Sequence, residues 1–249
     1  MSGTRQVRFT APDEFEIGDL KFGLASAQKA TTSERILLYK GRPFVDSYIE
    51  TLPPLAPARA LEFGIYQGGS ALFLTALLDL RKYVCIDIMN PLKTFDAILA
   101  AHSIGKRIRP YYNTSQGDPD RVRQILQREF GDEPIDMIID DASHEYALTK
   151  KSFEITFPYL ADGGHYIIED WSWAHWPDNQ KESHGRFGMP AMSNLILELV
   201  LLLPSSDLIE SITVRHGYVV IKKKSSRFRN NLLNIDATLR LRGRPMIKI

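Results

Sequence analysis

Two acidic stretches hold the side chains best suited to chemistry. Asp140-Asp141-Ala142-Ser143-His144 closes one apolar run, and Glu169-Asp170-Trp171 closes another. If these runs are neighbouring strands, Asp141, Glu169 and Asp170 meet at one rim. Three packed carboxylates repel unless a cation neutralises them. All-oxygen ligation suits a hard divalent cation, Mg²⁺ before Mn²⁺ or Ca²⁺, and no cysteine is present among these residues to build a structural zinc site. His144 stands three residues after Asp141. Its ordinary pKa of about 6.5 suits a general base at neutral pH. A plainer reading stands beside this one: Asp141 or Ser143 caps a helix starting near Glu145, and Glu169 and Asp170 are solvated loop acids.

A second constellation lies earlier, in Leu61-Glu62-Phe63-Gly64-Ile65-Tyr66-Gln67-Gly68-Gly69-Ser70. An apolar strand runs into a glycine turn and then into an apolar helix. The spacing G-x-x-x-G-G is neither the dinucleotide fingerprint nor a phosphate-binding P-loop. The carboxylate of Glu62 would repel phosphates and suits a cationic ligand. Asp87, at the end of the next strand and 25 residues beyond Glu62, is placed to accept hydrogen bonds from both ribose hydroxyls of a nucleoside. The plainer alternative is a glycine turn and a strand-end acid with no ligand.

These residues need a scaffold that brings strand ends together. Short strands at 58–63, 82–88, 108–112, 135–140 and 165–168 alternate with helices at 70–80, 92–101, 119–130 and 145–160. That alternation predicts an α/β fold, a doubly wound and mostly parallel sheet. Two β-rich runs around His216-Gly217 predict a C-terminal antiparallel hairpin. Residues 1–25 show no clear period. A helix is expected from Thr31 and a second over Phe44–Leu52, before Pro53-Pro54 breaks the chain. The expected division is an N-terminal helical arm or lid over 1–55, a cofactor-binding domain over 56–225, and a basic tail over 226–249. The basic residues from Lys222 onward read as a solvated face or a subunit contact.

Composition narrows the classes. The chain has 249 residues, with 31 Lys plus Arg against 30 Asp plus Glu, a formal net charge of +1. No global charge draws it to nucleic acid. One cysteine, Cys85, cannot make an internal disulfide, which suits a reducing compartment. The start lacks the apolar core of a signal peptide, and Leu195–Leu203 is far too short to cross a bilayer. A cytoplasmic protein with no membrane partner is expected.

The residues E-F-G-I-Y-Q-G-G-S followed by C-I-D-I resemble the class I S-adenosylmethionine (SAM)-dependent methyltransferases. The resemblance covers about 58–225 and implies a seven-stranded Rossmann-like sheet whose last two strands form the hairpin. It implies that Gly64 and Gly68 pass the methionine part of SAM, with Tyr66 and Ser70 beside it. Asp87 would hold the ribose, and Gln116 and Asp118, in N-T-S-Q-G-D, would lie by the adenine. Glu62 and Asp140 complete the expected cofactor set.

D-D-A-S-H-E-Y and G-G-H-Y-I-I-E-D-W narrow the resemblance to metal-dependent O-methyltransferases of natural-product tailoring, including macrolide sugar O-methyltransferases and the cephalosporin hydroxylase-like family. By that resemblance Asp141, Glu169 and Asp170 match Mg²⁺ ligands and His144 matches the base. Gly41–Ser47 (G-R-P-F-V-D-S) is loosely similar to an N-terminal stretch of that family, which would turn Arg42 toward the active site. Oxygen activation would need two histidines and one carboxylate, and this rim offers three carboxylates and one histidine. The long, tryptophan-rich stretch between Trp171 and Asn194 is expected to be a lid or acceptor loop. The resulting expectation is a Mg²⁺-dependent O-methyltransferase acting on a hydroxyl of a small natural-product acceptor of sugar or polyketide type. A vicinal diol would suit the metal, and a homo-oligomer is compatible with the tail. Three alternatives stand: a metal-independent methyltransferase, a non-catalytic SAM-binding subunit, and a nicotinamide oxidoreductase.

Overall fold

A computed structural model describes residues 6–225 and 233–249. Arg227 and Arg229 of the basic tail lie outside the described residues. The strands form two sheets, one of four strands and one of seven, and the chain divides into two compact units, Met1–Ser115 and Gln116–Ile249.

The first unit opens with β1 (Val7–Ala11), β2 (Glu14–Ile17), β3 (Leu20–Leu24) and β4 (Ile36–Leu38), paired in that order. β1, β2 and β3 are antiparallel, and β4 joins β3 in parallel. This corrects the helical arm expected over 1–55 and the helix expected from Thr31. The only α-helix in that stretch among the described residues is α1 (Arg42–Thr51). The physical reason is visible in the side chains. Phe15, Ile17, Leu20 and Phe22 alternate with polar residues and are buried on one face, where Phe15 stacks on Phe22 and both meet Phe73 edge-on. Gly18, at a φ of 63°, makes the turn between β2 and β3. The hydroxyl of Thr32 accepts from the amides of Glu34 and Arg35 as a turn does. Ile36, Leu37 and Leu38 are all buried. An apolar run that short does not distinguish strand from helix in sequence.

The rest of the first unit is a parallel α/β array: β5 (Arg59–Phe63), α2 (Gly69–Leu77), β6 (Lys82–Ile86), α3 (Lys93–Ala101) and β7 (Ile108–Tyr111). β5 pairs β6 and β6 pairs β7, all in parallel. Every residue of α2 is buried, which is why its sequence is apolar all round.

The second unit holds α4 (Pro119–Phe130), β8 (Ile135–Asp140), α5 (Tyr146–Thr156), β9 (Leu160–Glu169), α6 (Ser193–Leu202), β10 (Ile209–Val214), β11 (Tyr218–Lys223) and α7 (Ile235–Thr238). β8 and β9 are parallel, while β11 is antiparallel to both β9 and β10, the expected hairpin. The seven-stranded sheet has the order β10-β11-β9-β8-β5-β6-β7, a mostly parallel Rossmann-like arrangement as expected. α5 stops earlier than its sequence suggests. Pro158 lies in a 3₁₀ turn over 157–159, and β9 then starts at Leu160. Lys223 departs from the solvated basic face. It is buried, and its Nζ donates to the carbonyls of Phe157, Pro158 and Leu160 at 3.4, 3.1 and 2.6 Å. It closes the polar groups left open where α5 ends.

Candidate active site

In the first unit, the loop after β5 is held by the residue after β6. Oδ2 of Asp87 accepts from the amides of Ile65 and Tyr66 at 2.6 and 3.1 Å, and Oδ1 accepts from the amide of Met89 at 2.9 Å. Asp87 thus shapes the glycine turn directly. Tyr66 is in the left-handed region at a φ of 46°, beside Gly64 at 97° and Gly68 at 83°. A non-glycine residue there costs about 1–3 kcal/mol and persists only where its surroundings hold it. The ring of Tyr66 is exposed and lies 5.3 Å from that of Tyr39, also exposed. Oε1 of Gln67 accepts from the amide of Thr31 at 2.7 Å, tying the segment before β4 to the same turn.

The glycines of the turn meet protein on their open faces. A Cβ on Gly68 would stand 2.1 Å from the Phe95 ring, and one on Gly69 would stand 2.0 Å from the Leu37 carbonyl oxygen. These two glycines are therefore required for packing, whatever ligand the turn receives. Ser70 and Glu62 are buried. Burial pushes the Cys85 thiol well above its ordinary value, with the Glu62 and Asp87 carboxylates adding to the effect, so this cysteine is an inert core residue.

In the second unit, Asp118 is the N-cap of α4, its Oδ1 accepting from the amides of Asp120 and Arg121 at 3.1 and 3.0 Å. Gln116 and Asp140 are buried together. Nε2 of Gln116 donates to both Asp140 oxygens at 3.1 Å and to Ser152 Oγ at 3.2 Å, while its Oε1 accepts from the Ser143 amide at 3.0 Å. Ser152 Oγ and Tyr166 OH also donate to Asp140 Oδ2. Burial pushes the Asp140 carboxyl up to about 7, against the lowering effect of those hydrogen bonds from Ser152, Gln116 and Tyr166. The network fastens the end of β8 to the loop that carries His144. Ser152 and Tyr166 gave no signal in the sequence, because nothing in a helix or strand pattern marks the partner of a buried acid.

The acidic stretches converge as a group of three. Ligand atoms of Asp141, His144 and Asp170 all lie within 4.8 Å of one another. His144 Nε2 stands 3.9 Å from Asp141 Oδ1 and 3.9 Å from Asp170 Oδ2. Glu169, the last residue of β9, is buried and stands outside this gathered set. His144 and Asp170 both have left-handed backbones, at φ of 54° and 49°. Each is held by a hydrogen bond: Trp173 Nε1 donates to the His144 carbonyl at 2.8 Å, and the Asp170 amide donates to the Gly217 carbonyl at 2.8 Å. Two carboxylates with an imidazole beside them fit a hard divalent cation with positions left open for water and an oxygen ligand. Arg42 is engaged within the first unit: Nε donates to both oxygens of Asp46, Nη1 donates to the Pro12 carbonyl, and the guanidinium lies 3.4 Å from the centre of the Phe9 ring.

The tryptophan-rich stretch folds as two 3₁₀ turns, 173–175 and 177–180, and α6 begins at Ser193. It lines a cavity of about 290 Å³ with His144, Asp170, Trp173, Trp176, Asn179, His184, Gly185 and Arg186. Trp173 is the residue whose part sequence reasoning missed most clearly. It was visible only as one aromatic among several.

Residues 61–171 match the family model described as a methyltransferase domain. That match spans under half of the chain, and the sheet around it has the Rossmann-like methyltransferase fold. Over about half of its length the chain is similar to named O-methyltransferases. It is 34% identical over 120 residues to L-olivosyl-oleandolide 3-O-methyltransferase of Streptomyces antibioticus, across 48% of this chain and 29% of that protein. It is 32% identical over 128 residues to mycinamicin VI 2''-O-methyltransferase of Micromonospora griseorubida, across 48% of this chain and 28% of that protein. The fold is shared with the MycE methyltransferase of the mycinamycin pathway, solved with Mg, SAH and mycinamycin VI, at a TM-score of 0.56 and 24% identity, covering 74% of this chain and 49% of that one. It is also shared with a putative caffeoyl-CoA O-methyltransferase from Staphylococcus aureus, at a TM-score of 0.55 and 17% identity, covering 75% and 85%. The stretches aligned with the two curated relatives thus span under a third of their length.

Proposed function

We propose that this chain transfers the methyl group of SAM to a hydroxyl of a small natural-product acceptor, of sugar or polyketide type, with a divalent cation, Mg²⁺ first, and His144 as general base. The observation that carries the reading is the gathering of Asp141, His144 and Asp170 beside a cavity that two of them line. The names of the curated relatives, an L-olivosyl-oleandolide 3-O-methyltransferase and a mycinamicin VI 2''-O-methyltransferase, favour the acceptor class.

When bound, SAM supplies an electrophilic methyl group, and a divalent cation lowers the pKa of a hydroxyl that it ligates. The roles of the chain's own residues follow from that chemistry. Asp87 keeps the turn at Ile65 and Tyr66 in shape, and with Glu62, Gly64, Tyr66, Gly68 and Ser70 it is assigned to the cofactor. Gln116, Asp118 and Asp140 keep the cofactor role that the resemblance implies, with Gln116 and Asp140 acting through the Ser143 loop. Asp141 and Asp170 are assigned to the cation, and Glu169 is kept as the further acid expected there although it stands outside the gathered group. His144 takes the acceptor hydroxyl proton at Nε2. Loss of that proton would leave the acceptor oxygen ready to take the methyl group that bound SAM would supply, with S-adenosylhomocysteine (SAH) as the other product. The reading also assigns the domain to about 56–225, a cytoplasmic setting in keeping with one buried cysteine, and a homo-oligomer as the state to look for.

The test is calorimetric. SAH is titrated into metal-free protein, then Mg²⁺ into that complex, and methyl transfer to a panel of hydroxylated glycosides is measured with and without EDTA. Heat in both titrations and an EDTA-sensitive rate is the expected result. Heat from SAH with an EDTA-insensitive rate would replace the metal with a metal-independent mechanism. SAH binding without turnover on any acceptor would favour a non-catalytic subunit.

A further inference from the structure

The cavity beside the acidic group contains an unused cation. The Arg186 guanidinium makes no hydrogen bond or ion pair with any described residue; it lies over the Trp173 ring, 5.4 Å from guanidinium carbon to ring centre. Neighbouring polar groups are already engaged. Asn179 Nδ2 donates to the Trp173 carbonyl at 2.7 Å, and His184 Nδ1 accepts from the Arg186 amide at 3.3 Å. The His184 ring lies 6.0 Å from that of Trp173. Arg186 is partly buried, so its planar fork of five N–H donors is neither lost in bulk water nor satisfied by protein. A cation over an aromatic face uses the positive charge and leaves those donors free. Arginine forks match carboxylates in two parallel hydrogen bonds.

The same cavity is walled by Trp173 and Trp176 and reaches His144 and Asp170. At about 290 Å³ it is the size of one ring rather than of a whole polyketide. Resting on the proposed methyl transfer at this site, we infer that the acceptor ring bound here carries a carboxylate, which Arg186 anchors while a hydroxyl of the same ring faces His144. Arg186 is then a specificity-determining residue: it selects a hydroxylated ring acid over its neutral counterpart. Two sources supply that chemistry, an aromatic dihydroxy acid and a sugar acid, and both stack on indole faces.

Binding decides the matter without turnover. With saturating SAH and Mg²⁺, the full chain is titrated with two matched pairs: 3,4-dihydroxybenzoate against catechol, and galacturonate against galactose. The expected result is that the carboxylate of at least one pair binds tenfold or more tighter than its neutral partner. Which pair shows this identifies aromatic or sugar acid as the source. Arg186→Gln should bring the two members of that pair together, Arg186→Lys should keep part of the difference, and SAH binding should be unchanged in both variants. Equal binding within both pairs, no binding of either carboxylate at millimolar concentration, or a preference that survives Arg186→Gln would overturn the inference. A preference that Arg186→Gln abolishes, with no methyl transfer to either acid, would leave the inference standing and remove the proposed reaction. Transfer to neutral acceptors at a rate indifferent to Arg186→Gln would do the reverse.

Discussion

Trp173 Nε1 donates to the backbone carbonyl of His144 at 2.8 Å, so the tryptophan-rich loop and the candidate base are held by one hydrogen bond. His144 needs that help, because its backbone is in the left-handed region. Trp173→Phe keeps much of the aromatic wall and removes the donor. A neutral hydrogen bond of this kind contributes about 1 kcal/mol, so turnover should fall by roughly fivefold or more. The SAH dissociation constant should hold, and the kcat–pH profile should shift if the imidazole is displaced. Unchanged kcat with an unchanged profile would show that the bond does not position His144.

Asp87 accepts from three backbone amides, those of Ile65, Tyr66 and Met89. Asp87→Ala should therefore damage two properties together. Leaving backbone donors without a partner costs about 1–3 kcal/mol each where they stay dry. The urea midpoint should fall, and SAM affinity should fall with it. Asp87→Asn, which keeps one acceptor, should lie between. A loss of affinity with no loss of stability would mean that Asp87 serves the ribose alone.

Gly68 combines a φ of 83° with a Phe95 ring 2.1 Å from where a Cβ would sit. Gly68→Ala should destabilise the fold by about 1–3 kcal/mol from the backbone conformation, plus the displacement of Phe95. Adding Phe95→Ala to it should relieve the clash but leave the backbone cost and a cavity. A double-mutant cycle in thermal unfolding measures the coupling; strictly additive effects would show that Phe95 moves aside freely.

His165 in β9 supplies a pH dependence of known sign. Burial lowers its pKa below the ordinary 6.5, Lys222 lowers it further, and Glu210 opposes them. A histidine with a depressed folded value binds its proton more readily when unfolded. Its stability contribution is present above about pH 6.5 and is lost as pH falls through the folded value. Asp140 acts in the opposite direction, since its raised value makes the native state hold a proton that the unfolded chain releases. The wild-type slope is thus a difference, and the variant isolates one part. In EDTA, His165→Gln should lose less stability between pH 8 and pH 5.5 than the wild type does. Parallel urea-midpoint curves would remove His165 as a contributor.

Much of this protein is legible from local pattern alone. The alternation of strands and helices from Arg59 to Lys223 follows from apolar runs of the right length between glycine, proline and polar breaks, and each element satisfies most of its own burial where it stands. The strand-end positions of Asp87, Asp141 and Asp170 follow from the same pattern. The N-terminal sheet was in principle readable too, through the two-residue alternation of Phe15, Ile17, Leu20 and Phe22, although β4 was not: Ile36-Leu37-Leu38 becomes a strand only because β3 offers it an edge. Tertiary structure alone decided who meets whom. Gln116 and Asp140 are 24 residues apart, Trp173 and His144 are 29, and nothing in either local sequence names the partner. Chain folding selected Asp141, His144 and Asp170 as the gathered group and left Glu169 outside it. Residue type and spacing set what a side chain can do. Its hydrogen-bond partner, its burial and the charge it faces depend on distances across the fold, which a one-dimensional pattern does not carry.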